Sequence, residues 1–201
     1  MREIDETFNY EYYDRFLIDD YDDRRILINS EIDETAIDIA VHHIIEFNRQ
    51  DKWLPVEERK PIRIYINSPG GIVSDGYGLI DTILYSKTPV YTINMALAAS
   101  MAFSIFIAGH KRYTMPHAEF LIHDGTTGTF GSATKVSDRI TFEAMQLVKM
   151  TREYILSRTK IGEELYKEKH RVEWYFLAEE AKEIGAVDYI IGQDCELEEI
   201  L

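Results

Sequence analysis

Apolar positions along this chain switch repeatedly between two periods, the short runs of strands and the three-and-four spacing of helices. Residues 25–29 form a short β-prone run, and over 33–48 Ala36, Ile37, Ala40, Val41, Ile44, Ile45 and Phe47 recur at helical spacing. Asp33 stands where it would cap that helix. Residues 52–61 are polar with two prolines, which predicts a loop. A strand over 62–66 runs into Asn67-Ser68-Pro69-Gly70-Gly71, and Ser74 or Asp75 starts a helix that reaches about 86. Pro89 ends it, and a strand follows over 90–94. The apolar run 95–109, broken by Ser100 and Ser104, falls short of the roughly 20 residues a bilayer span needs and reads as a buried helix from about Ser100. Two strands, 112–115 and 119–123, flank a turn at Pro116, and a Gly/Thr-rich stretch at 125–132 precedes a long helix over 133–159. A helix over 178–184, a turn at Gly185 and a strand over 187–191 close the series.

Repeated β-then-α units predict an α/β domain with largely parallel strands, each crossover helix covering the sheet with its apolar side. With 201 residues, 45% of them hydrophobic, and no Ser- or Pro-rich linker, the chain is expected to be one domain over 1–201. The helix over 133–159 sets Val136, Ile140, Ala144, Leu147, Met150 and Ile155 on one side against Lys135, Arg139, Glu143, Gln146, Arg152 and Glu153. Such a helix packs either on its own core or on a neighbouring subunit, and its pattern alone does not choose.

Charge narrows the partners. The formal net charge of −14 disfavours nucleic acid and anionic lipid. Residues 1–34 hold twelve Asp or Glu and four Arg, so an acidic arm is expected over 1–24, with a second acidic stretch in the tail at 192–201. The single cysteine, Cys195, cannot form an internal disulfide, and residues 1–10 lack the pattern of an export signal, so a cytoplasmic setting is expected. The histidines show no zinc spacing and there is no nucleotide loop; no metal and no cofactor is expected in this chain.

Three short stretches carry candidate chemistry. In Met95-Ala96-Leu97-Ala98-Ala99-Ser100-Met101-Ala102, small residues surround one serine between a strand and an apolar helix. A nucleophilic hydroxyl suits that place, since a substrate carbonyl can approach and the helix-start amides, Met101 among them, can hold an oxyanion. A serine before a helix is more often only its cap. Gly70-Gly71 permits positive φ and leaves backbone N–H groups bare, for a substrate or simply for a tight turn. His123 ends a strand before a glycine-rich stretch. An imidazole titrates near 6.5 in water, so a histidine can take a serine proton and return it to a leaving amine.

Together, and in this order, the stretches resemble the proteolytic subunit of the Clp protease, from about residue 15 to 191. The resemblance is densest at Ile64-Tyr65-Ile66-Asn67-Ser68-Pro69-Gly70-Gly71, Ala98-Ala99-Ser100-Met101, Leu121-Ile122-His123 and residues 178–188. It implies a crotonase-like spiral of β-β-α units with a protruding long helix, and a serine endopeptidase working through an acyl-enzyme. Ser100 matches the nucleophile, His123 the base, and Gly71 and Met101 the amides of the oxyanion hole. Gly70, Ile72, Asp124 and Gly125 would offer main chain to an extended substrate. Counting back from Gly185 puts Glu173 at the third position, where the family has aspartate. Glu173 would orient His123; the alternative is a surface glutamate, with His123 oriented by water, a carbonyl or Asp138. The resemblance also implies a homo-oligomer of paired seven-membered rings around a closed chamber, a hexameric ATPase unfoldase as partner, unfolded polypeptide as substrate, and an acidic gate formed by the N-terminal arm.

Departures from the family pattern are Ala96 and Ala102 for glycines, which would narrow the pocket, Val172 for an arginine used between rings, and a longer polar loop at 52–60. They keep open a catalytically impaired structural subunit of a mixed ring, although both Ser100 and His123 are present. An acyl-CoA enzyme of the crotonase type ranks last, because that chemistry needs no serine paired with a histidine.

Overall fold

A computed structural model describes residues 20–125, 130–169 and 171–201. Its elements are β1 (Arg25–Ile28), α1 (Glu34–Gln50), β2 (Ile62–Ser68), α2 (Val73–Tyr85), β3 (Val90–Ala99), α3 (Met101–Phe106), β4 (Lys111–Thr114), β5 (Glu119–Ile122), α4 (Ala133–Phe142), α5 (Val148–Arg158), α6 (Glu163–Lys169), β6 (Trp174–Leu177), α7 (Ala178–Glu183) and β7 (Tyr189–Ile190). A π-helical stretch, Glu143–Leu147, joins α4 to α5, so the long predicted helix runs on with one local change of winding. Asp33 caps α1 as its position predicts, its carboxylate accepting from Ala36 N–H at 2.9 Å. That helix buries Ile37, Ala40, Ile44 and Phe47, one stripe at helical spacing.

The sheet runs β1-β2-β3-β4-β7, all parallel. Strand β3 serves two neighbours. Its first half, Tyr91 to Asn94, pairs with β4, and its second half, Leu97 to Ala99, pairs with β5. Strand β6 lies antiparallel on β5, with Phe120 opposite Phe176 and Ile122 opposite Trp174. The stacked rings of Phe120 and Phe176, 5.4 Å apart, meet Phe103 of α3 edge-on and bind this side sheet to the core.

Three elements differ from the sequence-based expectation. Strand β3 runs on past the expected 90–94 to Ala99, because Leu97 to Ala99 pair with β5; a short apolar run fits strand or helix until its partners are known. Strand β6 and helix α6 were not expected at all. On the long helix, Ile140, Met145, Val148 and Met150 are exposed and only Ile155 of the apolar side is buried. Its own core therefore does not cover that face. Of the expected acidic arm, residues 1–19 lie outside the described residues; within the rest, Arg25 pairs with Asp20 and Asp23.

One buried ion pair ties the start of the sheet to α1. Asp51, 2% exposed, accepts two bonds from the Arg24 guanidinium at 2.6 and 2.7 Å and one from the Thr88 hydroxyl at 2.9 Å. Arg24 adopts φ 58°, with its guanidinium 5.1 Å over the Phe47 ring. The Arg24 bonds hold the Asp51 carboxyl below its ordinary range. A depressed folded pKa adds stability above the unfolded value, about 3.9, and that stability is lost as pH falls through the folded value. Asp51→Asn should therefore cost about 3 kcal/mol at pH 7, because it leaves Arg24 uncompensated. The deficit should shrink as pH drops below about 4, read by urea unfolding across that range.

Candidate functional site

Two turns meet at the ends of β2 and β3. At the first, Gly70 takes φ 99° and its N–H donates to the buried Ser68 hydroxyl at 3.2 Å. A Cβ on Gly70 would stand 2.7 Å from both Ala99 O and Ser100 Cβ, so only glycine lets the two turns touch. Gly71 has a different constraint, since a Cβ there would come within 2.3 Å of Ile32 O. Ile32 N–H donates to Gly70 O at 2.9 Å and Ile72 N–H donates to Ile32 O at 2.8 Å. Gly71 N–H donates to nothing among the described residues.

Ser100 opens the second turn at φ 55°, ψ −121°, a region that costs a side-chain-bearing residue about 1–3 kcal/mol. Its N–H donates to Leu121 O at 2.9 Å, which fixes the turn on β5. It stands at the cap position of α3, yet its hydroxyl makes no capping bond. The ordinary structural role of a serine before a helix is therefore not the one it has here. Met101, the first residue of α3, has an N–H with no acceptor among the described residues.

His123 follows directly on β5, is half-buried, and lines the same cavity as Ser100, of about 60 Å³. No hydrogen bond joins Ser100 to His123 among the described residues, and such bonds often tighten only once substrate is bound. The antiparallel register Ile122↔Trp174, continued one step past the end of the ladder, sets Glu173 opposite His123. Glu173 is exposed and accepts from the Tyr175 hydroxyl at 3.3 Å; no bond joins it to His123 among the described residues. Its charge raises the Tyr175 phenol. Asp138 is exposed on α4, and Asp124 and Gly125 are exposed beyond His123.

Of the expected groups, Ser100, Met101 and His123 line one cavity, and Gly71 stands next to Gly70 in the turn that touches Ser100 without lining that cavity. Part of the main chain of Gly70 and Ile72, expected to serve a substrate, already has partners inside the protein. Gly70 O and Ile72 N–H are engaged by Ile32, and Ile72 O accepts from Gly76 N–H at 3.1 Å. Nor do Ala96 and Ala102 narrow the pocket: Ala96 is exposed, Ala102 is fully buried, and neither lines the cavity.

The cavity also holds residues that sequence reasoning passed over, notably Ser104 on α3 and Thr151 on α5. Tyr77 donates to Thr151 Oγ1 and Tyr154 donates to Ser104 O, each at 2.9 Å. Burial raises both phenols, so they remain protonated donors at neutral pH. Only the packing of α5 on α3 reveals these residues; a lone serine or threonine within a helix carries no sequence signal of its own.

Gly70→Ala should push the Ser100 turn out of place through both the new Cβ and the strained φ. Covalent labelling of Ser100 by a small fluorophosphonate should slow about 100-fold, the cost typical of a 1 Å misplacement. Far-UV circular dichroism should keep its helix and sheet signal.

A protein-family model described as Clp protease matches residues 6–194 of this chain.

Proposed function

Because the chain belongs to the Clp protease family, we propose that it is a serine endopeptidase subunit which cleaves unfolded polypeptide through an acyl-enzyme. The family is one of serine peptidases with the crotonase-like fold, and its members generally assemble into rings. The observation that carries the catalytic reading is Ser100 itself. A serine held at positive φ, with its hydroxyl uncommitted to the helix it precedes, sits on one cavity with a histidine.

In this reading Ser100 Oγ attacks the scissile carbonyl while His123 takes its proton. The Gly71 and Met101 N–H groups hold the oxyanion, which is where preorganised donors give their largest effect. His123 then protonates the leaving amine, and water, activated by the same imidazole, releases the acyl group. No step needs a metal or a cofactor. Glu173 comes to His123 by strand register and would orient the imidazole once its carboxylate turns from Tyr175. The exposed apolar side of the long helix suits a contact with a second copy, as stacked seven-membered rings would supply. A cytoplasmic chamber fed by an ATPase unfoldase completes the reading.

A second reading, an impaired structural subunit of a mixed ring, draws on the bond of Glu173 to Tyr175 instead of His123. Fluorophosphonate labelling separates the two. The peptidase reading expects one adduct on Ser100, absent in Ser100→Ala and strongly reduced in His123→Ala. An unlabelled native assembly supports the structural subunit. On a short fluorogenic peptide, Glu173→Gln should lower kcat by about 100-fold or more if the carboxylate steadies the imidazolium. An unchanged kcat removes Glu173 from the site.

A further inference from the structure

The cavity beside Ser100 is apolar over most of its wall, from Val73, Phe103, Ile122 and Ile155, but two hydroxyls interrupt it. Ser104 lies one helical turn beyond Ser100 and is 4% exposed. Its N–H donates to Ser100 O at 3.3 Å and its carbonyl accepts from Tyr154 at 2.9 Å. Its hydroxyl has no partner among the described residues, and it is absent from the oxygens sealed inside the protein, so it opens on the cavity. Thr151, on the facing helix, accepts from Tyr77 and makes no bond back to its own helix among the described residues. Its own proton is thus left to donate. The Tyr154 bond ties α5 to α3 and the Tyr77 bond ties α5 to α2, so the two hydroxyls are held and not merely nearby.

We propose that this cavity receives the substrate side chain on the acyl side of the cleaved bond, and that Ser104 and Thr151 select a carboxamide there, glutamine or asparagine. The proposal rests on the peptidase reading above and names its substrate class. A carboxamide ends in one acceptor and two donors. Thr151 donates to its oxygen, and Ser104, which both donates and accepts, takes an N–H. Apart from His123 the lining holds no ionisable group, so a carboxylate or ammonium would enter without a counter-charge and lose its hydration. A thioether or aliphatic side chain of the same size would fit the apolar wall but leave the Ser104 hydroxyl buried and unpaired. Sites built around a polar group discriminate against such isosteres more strongly than apolar pockets discriminate on size.

Peptidyl diphenyl phosphonates that differ only in this side chain, glutamine-like against methionine-like, test it on the native assembly. Intact mass reads the phosphonyl group on Ser100, so turnover is not required. The parent protein should react about tenfold faster with the glutamine compound, the worth of one net hydrogen bond. Ser104→Ala should bring the ratio near one by slowing the glutamine compound alone, and Thr151→Val should reduce the ratio in the same direction. Equal rates in the parent, a preference for methionine, or a ratio that survives Ser104→Ala each overturn the proposal. If neither peptide compound reacts while a small fluorophosphonate still labels Ser100, the cavity does not receive this side chain and the peptidase reading stands. If the fluorophosphonate fails as well, the peptidase reading falls and this inference with it.

Discussion

Where β2 and β3 end, two backbone turns approach so closely that one of them has no room for a Cβ. Gly70 packs its Cα hydrogens against Ala99 O and Ser100 Cβ, and in return Ser100 is held at a φ that a serine would not choose alone. Relaxing Ser100 would relieve strain of about 1–3 kcal/mol, but it would break the Ser100 N–H bond to Leu121 and open the contact with Gly70. The surrounding sheet thus over-determines the turn. This contact goes with a Ser100 hydroxyl that does not cap α3 and a Met101 N–H that has no acceptor among the described residues.

The same turn sets where the other groups stand. Ile32 bridges to Gly71 and takes up Gly70 O and Ile72 N–H, so the main chain on both sides of Gly71 is tied down while Gly71 N–H has no acceptor among the described residues. Strand β3 leaves β4 after Asn94 and takes β5 as neighbour from Leu97, which carries His123 past Ser100. The stacked Phe120 and Phe176 lock β6 to β5 in one register, each ring adding about 1.5–3 kcal/mol on burial. A slip of one residue in β6 would turn Phe176 out of this stack.

The face of the long helix gives a different kind of information. Ile140, Met145, Val148 and Met150 stand exposed beside the site, on the same run of helix that holds Thr151 and Ile155 against the cavity. A partner that covers this face would bear directly on the wall of the cavity, through α5. Assembly and substrate selection would then share one structural element, consistent with a family whose members work as rings.

Much of this was readable from residue order. Period changes gave the α/β class, Asp33 marked the start of α1, and Ser100, His123 and the paired glycines stood out because small residues and strand ends surround them. Those are local signals, and local propensity and periodicity encode them. The state of residues 95–99, strand β6, the engagement of Gly70 and Ile72 by Ile32, and the two hydroxyls on the cavity were decided only by tertiary structure. In each case the deciding partner lies far along the chain, and a hydrogen bond or a wall between distant segments has no period in the sequence to announce it.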